Sequence, residues 1–169
     1  MATMARTLPT ARDRAFHEAA HCASLLIQGF TPKLVRTDFP SDVAGLMRVD
    51  WDAMDPADPD HLRALLIAVL QGPASEGIYV NILDWPLDEL ADRWPHEIRR
   101  DIAQAIHLIE RLGMDAAAFT SVEYDLQAQW RDPRFRALLG RITDELEDKE
   151  LLLQPELQQI ASDVLQEFT

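Results

Sequence analysis

The spacing of apolar residues predicts a helix near the start of the chain. Apolar side chains recur there at i, i+3, i+4, i+7 and i+11, as on one face of an α-helix: Phe16, Ala19, Ala20, Ala23 and Ile27. Thr10 followed by Asp13 resembles a capping box, and Gly29 with Pro32 just beyond indicates a helix end. We therefore expect the first helix over residues 11–28.

The pattern changes between Leu34 and Trp51. Two short segments, LVRTDF and GLMRVDW, are rich in apolar and β-branched residues, and the turn-forming residues Pro40, Ser41 and Asp42 separate them. Two such segments around a turn predict a β-hairpin. This is the only convincing strand signal in the sequence.

Helical spacing returns after a loop with two Asp-Pro steps, residues 52–60. A mostly buried helix is expected over residues 62–79, and Pro73 is expected to kink or interrupt it. The clearest amphipathic helix follows Pro95 and ends at Gly113. Its inward positions keep helical spacing: Ile98, Ile102, Ala105, Ile106, Ile109 and Leu112.

Three more helices are expected toward the C-terminus. Asp115 can cap one that runs to about Trp130, Pro133 opens another to about Leu153, and residues 155–168 form the last. The expected fold class is therefore mainly α, with one small β-hairpin or sheet.

Length and composition favour one domain. The chain has 169 residues and 47% hydrophobic residues, enough to bury a substantial core. We expect residues 1–169 to form a single unit in which residues 1–10 are flexible. Residues 11–130 would hold the core around the candidate site, and residues 131–169 the C-terminal helices.

Charge and cysteine content restrict the classes of function. A net charge of −13 argues against nucleic acid or an anionic membrane as a partner. Cys22 is the single cysteine, so an intramolecular disulfide is impossible and a cytoplasmic location is expected. The longest uninterrupted apolar run, Ala64 to Leu70, is too short to cross a bilayer, so we expect a soluble protein.

The first helix contains an HExxH motif formed by His17, Glu18 and His21. Residues four apart on a helix lie about 40° apart around the axis and about 6 Å apart along it, so both imidazoles can face one metal ion. Catalytic zinc takes three protein ligands and leaves one position for water. The helix supplies two of them, and a third ligand must come from elsewhere.

The metzincin pattern does not supply the third ligand, because Ser24 and Ile27 occupy the positions where that pattern has glycine and histidine. Four downstream acids are worth testing: Glu76, Glu89, Glu97 and Asp101. Glu76 follows the Pro73 kink, Glu89 lies in a loop-like stretch, and Glu97 points about 100° away from the apolar face of its helix.

Asp101 differs from these acids because it borders the apolar face of its helix, about 60° from Ile98 and about 40° from Ala105. A carboxylate at such a position needs a partner, since burying an uncompensated charge is costly. A divalent metal would meet that need. The alternative is a salt bridge between Asp101 and a base such as Arg99 or Arg100.

Four segments together resemble the zinc peptidase domain of the FtsH-type ATP-dependent metalloproteases: AFHEAAHCASLL, the hairpin with AGLM, LIAVLQGPASEGIY, and DIAQAIHLIERLGM. In that family an HEAGH helix is followed by a small sheet, a helix with a G-x-A-A-E segment, and a helix beginning N-D-L-x-x-A. The resemblance covers residues 11–130, implies a helical zincin-like fold, and makes Asp101 the third zinc ligand.

The resemblance also implies a chemistry. Zn²⁺ held by His17, His21 and Asp101 would polarise a water molecule, and Glu18 would take its proton during attack on a peptide carbonyl. Glu76 would accept a hydrogen bond from a ligand imidazole and orient it.

The edge strand of the hairpin, residues 44–51, is expected to hold an extended peptide by strand addition. The residues expected to face that peptide are Ala44, Gly45, Leu46 and Met47. The predicted substrate is thus a peptide or an unfolded protein chain.

The chain departs from the family pattern at several positions. Ala20 replaces the usual glycine, Gln71-Gly72-Pro73 replaces the Gly-Gly-Arg type of turn, and Arg100 replaces asparagine. Neither an ATPase module nor a transmembrane segment is recognised, so a separate partner protein or a homo-oligomer is compatible with the sequence. The alternative function is a catalytically inactive metal-binding or protein-interaction module, and the intact Glu18 favours the enzyme.

Overall fold

Six helices and a small sheet of three strands make up the part of the chain that the computed structural model describes, residues 10–39, 45–75 and 96–169 without the side chains of residues 96 and 97. In chain order the elements are α1 (Ala11–Ile27), β1 (Leu34–Arg36), β2 (Leu46–Arg48), α2 (Pro59–Ser75), α3 (His96–Leu112), α4 (Ala116–Arg131), α5 (Pro133–Lys149), β3 (Leu151–Leu153) and α6 (Gln154–Gln166). The mainly helical fold with one small sheet is confirmed. None of these helices combines the length and the apolar character that crossing a membrane requires.

Helix α1 begins at the predicted capping box. The backbone N–H of Asp13 donates to Thr10 Oγ1 at 3.1 Å, and the N–H of Thr10 donates to Asp13 Oδ2 at 2.7 Å. The hydroxyl and carboxylate thereby satisfy N–H groups that the first helical turn leaves without partners. The helix ends before Gly29, whose φ of 88° suits glycine.

Helix α1 is buried on nearly all sides, whereas its sequence predicted a single inward face. Ala15, Ala19, Ala20, Cys22 and Ala23 are all fully buried. Such small side chains let neighbouring helices approach closely, and α1 packs against both α2 and α5. Cys22 is therefore a packing residue inside the core.

Two apolar clusters lie on the two sides of α1. The first joins α2, α3 and α4 and includes Leu65, Ile102 and Phe119. The second joins α1, α5, α6 and the sheet, and includes Phe135 and Leu152. The first helix is thus held between the helices from the middle of the chain and the C-terminal helices.

The predicted hairpin is confirmed, and it is extended by a strand that the sequence analysis missed. The strand order is β2-β1-β3, with Val35 opposite Met47 on one side and opposite Leu152 on the other. The prediction that one helix runs to about Leu153 is wrong, because α5 ends at Lys149.

The reason for this early end lies at Glu150, which has a left-handed backbone with φ of 60°. The chain reverses there, and the Glu150 carbonyl accepts a hydrogen bond from the N–H of Thr37 at 2.8 Å. The apolar run Leu151–Leu153 then pairs with β1 instead of continuing the helix.

Helix α2 does not end at Pro73. It is helical through this residue to Ser75, so the expected interruption is wrong, and residues 76–79 lie outside the described residues. A proline removes only one intrahelical hydrogen bond, and the neighbouring Gly72 and Ala74 are buried. Tertiary packing therefore maintains the helix past the proline.

The strained backbone at Glu150 generates a stability prediction. A non-glycine residue with left-handed φ carries a steric cost that glycine avoids, so Glu150→Gly should raise the free energy of unfolding by about 0.5–1 kcal/mol. Asp148→Gly, two residues earlier within helical backbone, should instead lower it by a few tenths of a kcal/mol. Urea denaturation measures both variants. Equal destabilisation by the two substitutions would contradict the left-handed conformation.

Candidate metal centre

Three potential ligands from two helices meet at one point. Helix α1 supplies His17 and His21, and α3 supplies Asp101 from 84 positions further along the chain. Asp101 Oδ2 lies 2.9 Å from His17 Nε2 and 3.3 Å from His21 Nε2. The two Nε2 atoms are 3.2 Å apart. The three atoms therefore form a nearly equilateral triangle.

The size of this triangle suits zinc. Zn²⁺ binds nitrogen and oxygen at about 2.0–2.2 Å, so two ligand atoms of a tetrahedral site lie about 3.3–3.4 Å apart. All three residues are buried, with 2% of His17, 5% of His21 and 6% of Asp101 exposed. Two imidazoles and a carboxylate are also a common ligand set for catalytic zinc. The residues present fit the ion.

The hydrogen bond that His21 Nδ1 makes outside the triangle defines which ring nitrogen can bind a metal ion. His21 Nδ1 lies 2.8 Å from the carbonyl oxygen of Ala68 in α2. A carbonyl can only accept, so Nδ1 carries the proton and donates it. When the ring is neutral, its lone pair is on Nε2, the atom that faces Asp101; a second proton on Nε2 makes the ring cationic and lets it donate to that carboxylate. Helix α2 thus orients a ligand whose backbone belongs to α1.

The electrostatics of the triangle favour an ionised Asp101. Burial alone would raise the pKa of this carboxyl, but the charge of His21 and the hydrogen bonds from both imidazoles outweigh it and hold the pKa well below its usual range. Burial likewise lowers the pKa of His21, and the charge of Asp101 more than offsets this, so the net pKa is raised. The site therefore presents a carboxylate anion to any cation that enters.

Glu18 lies beside this triangle without belonging to it. Burial raises the pKa of its carboxyl, against the opposing effect of His21 and His17. A raised pKa makes a carboxylate a stronger proton acceptor, which is what a general base requires. Its side chain packs against Gly45, where a methyl group would lie 2.5 Å from Glu18 Cγ. A glycine at the start of β2 is therefore needed for this close approach.

Gly72 of α2 leaves space at the triangle itself. A Cβ atom built on Gly72 would overlap the imidazole of His21 and lie 2.7 Å from His17 Nε2. It would stand next to both lone-pair nitrogens, where a bound cation has to be. The missing side chain thus leaves space for a cation between the α2 backbone and the two imidazoles.

A cavity of about 340 Å³ opens from the candidate centre. Glu18, His21 and Asp101 form its inner wall, and β2 forms one side. Apolar residues of α2, Leu65 and Val69, form another side. The cavity is large enough for part of a peptide. Glu18, His21 and Asp101 line it, and His17 lies behind Asp101.

The structure brings together four of the predicted site residues, His17, Glu18, His21 and Asp101. Of the predicted peptide-binding residues, Leu46 and Met47 line the cavity, and Gly45 contacts Glu18. The residues Glu76, Glu89 and Ala44, together with the side chain of Glu97, lie outside the described residues. Metal binding and catalysis by these residues stay predictions.

Asp101 forms no salt bridge with Arg99 or Arg100, the two partners named for the alternative, among the described residues. Its ion pairs there are with His17 and His21. Arg100 turns instead to the carbonyl oxygen of Gly45, to which Nη2 donates at 3.0 Å.

Sequence reasoning missed three contributors to the site: Gly72, the carbonyl of Ala68 and Arg100. Gly72 was noted only as part of a departure from the family pattern, although a glycine inside a buried helix is itself a signal of close approach. A backbone carbonyl that binds an imidazole leaves no mark in the sequence, because every residue has one. Arg100 was considered as a partner of Asp101 and as a departure from the family pattern, but not as a contact of the strand.

No protein-family model matches the sequence, and a comparison with curated proteins also found no match. The resemblance to FtsH-type peptidase domains therefore stays a prediction that rests on the motifs and their order.

The space beside Gly72 predicts the effect of adding one methyl group. Gly72→Ala should weaken zinc binding at least about tenfold, because the methyl displaces His21 or occupies the space of the ion. Competition with a chromophoric chelator measures the affinity, and circular dichroism monitors the fold.

Gly140→Ala in α5 is the matched control, since its added methyl group would contact nothing within 4 Å. It should leave zinc affinity unchanged. If the two alanine variants bind zinc equally well, Gly72 does not shape the site.

Proposed function

We propose that the protein is a zinc-dependent metallopeptidase that hydrolyses peptide bonds. The observation that carries this proposal is the convergence of His17, His21 and Asp101, with mutual distances of 2.9, 3.2 and 3.3 Å, beside a buried Glu18. Each group matches a role in the chemistry of HExxH peptidases, namely two imidazole ligands, one carboxylate ligand and one carboxylate base.

His17, His21 and Asp101 would hold the ion through Nε2, Nε2 and Oδ2. Bound Zn²⁺ supplies a Lewis acid that lowers the pKa of water and polarises a carbonyl. Ala68 keeps His21 in the tautomer that can bind, and the helical backbone of α1 keeps the two imidazoles four residues apart.

Glu18 acts as the general base in this proposal. Its carboxylate accepts a proton from the attacking water and passes it to the amine that leaves. The burial that raises its pKa favours the first transfer, because a carboxylate with very low pKa would hold the proton too weakly.

The free edge of β2 is the proposed binding site for the substrate backbone. Among the described residues β2 pairs only with β1, so its other edge carries unpaired N–H and C=O groups beside the cavity. An extended peptide can add there as a further strand, with its scissile bond close to Glu18. The substrates in this proposal are peptides or unfolded chains.

A cytoplasmic location is part of the same proposal, because the chain has one cysteine and Cys22 is buried and free.

One observation favours a second function. His17 and Glu18 are only 2% and 3% exposed, so the candidate centre has little direct access to solvent. A metal held so deeply would also suit a non-catalytic module in which the ion joins α1 to α3 and β2 binds a partner protein. Activity measurements distinguish the two functions.

Removing the base tests the enzymatic function directly. Glu18→Gln should reduce hydrolysis of an unfolded substrate such as casein by about 10²–10⁴-fold, since it deletes general-base catalysis. Zinc content, measured by atomic emission, should remain at the wild-type level. Equal cleavage rates for the two proteins would reject Glu18 as the base. If the zinc-loaded native protein cleaves neither casein nor a peptide library, the enzymatic function is rejected and the non-catalytic module is the remaining function.

Removing the third ligand tests the metal site separately. Asp101→Ala should lower zinc affinity by about 10²-fold or more, because the ion loses an anionic ligand. Asp125→Ala is a matched control, since Asp125 pairs with Arg63 on the surface and not with the imidazoles. Wild-type zinc affinity in the Asp101 variant would exclude this residue as a ligand.

A further inference from the structure

Two arginines line the cavity beside the candidate centre. Arg48 is the last residue of β2, and Arg100 precedes Asp101 on α3. Both residues are exposed, and within residues 10–39, 45–75 and 96–169 neither forms an ion pair with a carboxylate. The cavity wall therefore carries two guanidinium groups without an ion-pair partner in the described part of the chain, together with the carboxylates of Glu18 and Asp101.

Many other bases of the chain do have acidic partners. With 29 acidic and 16 basic residues, carboxylates are abundant over the surface. Seven of the described bases form ion pairs with aspartate or glutamate: Arg12, Lys33, Arg36, Arg63, Arg134, Arg141 and Lys149. Arg99, Arg111, Arg131 and Arg136 also form no ion pair among the described residues, but only Arg48 and Arg100 of this group line the cavity, where their charge can meet a carboxylate supplied by a ligand.

Arg100 is held in place for this role. One of its guanidinium nitrogens, Nη2, donates to the carbonyl oxygen of Gly45 at 3.0 Å. A guanidinium has five N–H donors in a rigid plane, so this hydrogen bond leaves others to bind a carboxylate. The bond also anchors the charge at the first end of β2, next to Glu18.

Arg48 lies at the other end of the same strand. An extended chain advances about 3.3 Å per residue, so Gly45 and Arg48 are separated by about 10 Å along β2. A peptide added at the free edge of β2 runs beside both ends. Its residues opposite these two positions would be about three apart in sequence.

The charge balance of the site with a bound divalent cation also favours a carboxylate ligand. Glu18 and Asp101 contribute two negative charges, whereas a divalent cation and the two arginines contribute four positive charges. The net field at the cavity is then positive and favours an anionic ligand. The net charge of −13 over the whole chain repels such ligands, but screening at physiological salt limits that repulsion to about 8 Å, so the nearby arginines dominate.

We propose that Arg48 and Arg100 make the cavity selective for acidic peptides, with carboxylate side chains about three residues apart. This inference rests on the proposed function, because it names the substrate class of the same site. Each guanidinium pairs with one carboxylate, and the two pairs hold the extended backbone along β2.

Peptide binding to a non-cleaving protein tests this selectivity apart from catalysis. The full chain with Glu18→Gln, loaded with zinc, is titrated into three fluorescein-labelled octapeptides that differ at two positions three residues apart. These positions carry Glu, Gln or Lys, and fluorescence anisotropy gives each dissociation constant. The Glu peptide should bind about tenfold more tightly than the Gln peptide, and the Lys peptide most weakly.

Substitution of each arginine tests whether it causes the preference for the Glu peptide. Adding Arg48→Gln or Arg100→Gln to this protein should reduce the preference for Glu over Gln about threefold or more, and the pair should abolish it. Arg136→Gln is the matched control, because Arg136 is exposed on α5 and is not part of the cavity wall. It should retain the full preference.

Equal affinities for the three peptides, or a Glu preference that survives the double substitution, would overturn the inference. Arg100→Gln also removes the hydrogen bond to Gly45. If that variant loses affinity for all three peptides equally, the cause is a displaced β2 and not the lost charge. Arg48→Gln makes no such change, and an undiminished Glu preference in that variant would also overturn the inference. Failure to cleave any peptide would reject the peptidase and leave this binding result standing, so the two failures are distinguishable.

Discussion

The contact between one aspartate and two imidazoles constrains the rest of this structure. The two imidazoles hold the pKa of the buried Asp101 well below its usual range, and an unpaired carboxylate there would cost several kcal/mol. It is tolerated because His17 and His21 lie within 3.3 Å of the same oxygen. Helices α1 and α3 must therefore keep their spacing and rotation closely, and the surrounding packing provides this.

Small side chains on α1 make that spacing attainable. Alanines and Cys22 let α2 and α5 approach on opposite sides, and Gly72 brings the α2 backbone against the imidazoles. Ala68 can then accept the hydrogen bond that orients His21. On the other wall, Gly45 lets β2 approach Glu18, and Arg100 ties that strand to the helix that bears Asp101. Glycines and alanines thus place the charged groups.

Much of this arrangement could be predicted from the sequence. The HExxH spacing placed His17 and His21 on one face, and the helical wheel placed Asp101 beside a buried face, because both depend only on local helical geometry. The strand β3 could not be predicted, since LLL after a long helix has no local feature that distinguishes it from one more helical turn. Its partner is Val35, more than a hundred residues away, and only the left-handed Glu150 marks the change.

Residues 131–169, about a quarter of the chain, lie outside the segments that resemble a peptidase domain, yet they form one side of the scaffold for α1. Strand β3 completes the sheet, and Phe135, Leu146 and Leu157 are fully buried in the cluster that contains Ala19 and Ala23. A fragment ending at residue 130 would expose the back of the histidine-bearing helix to water. The part of the chain needed to keep α1 in place therefore includes α5, β3 and α6, which all follow the last motif.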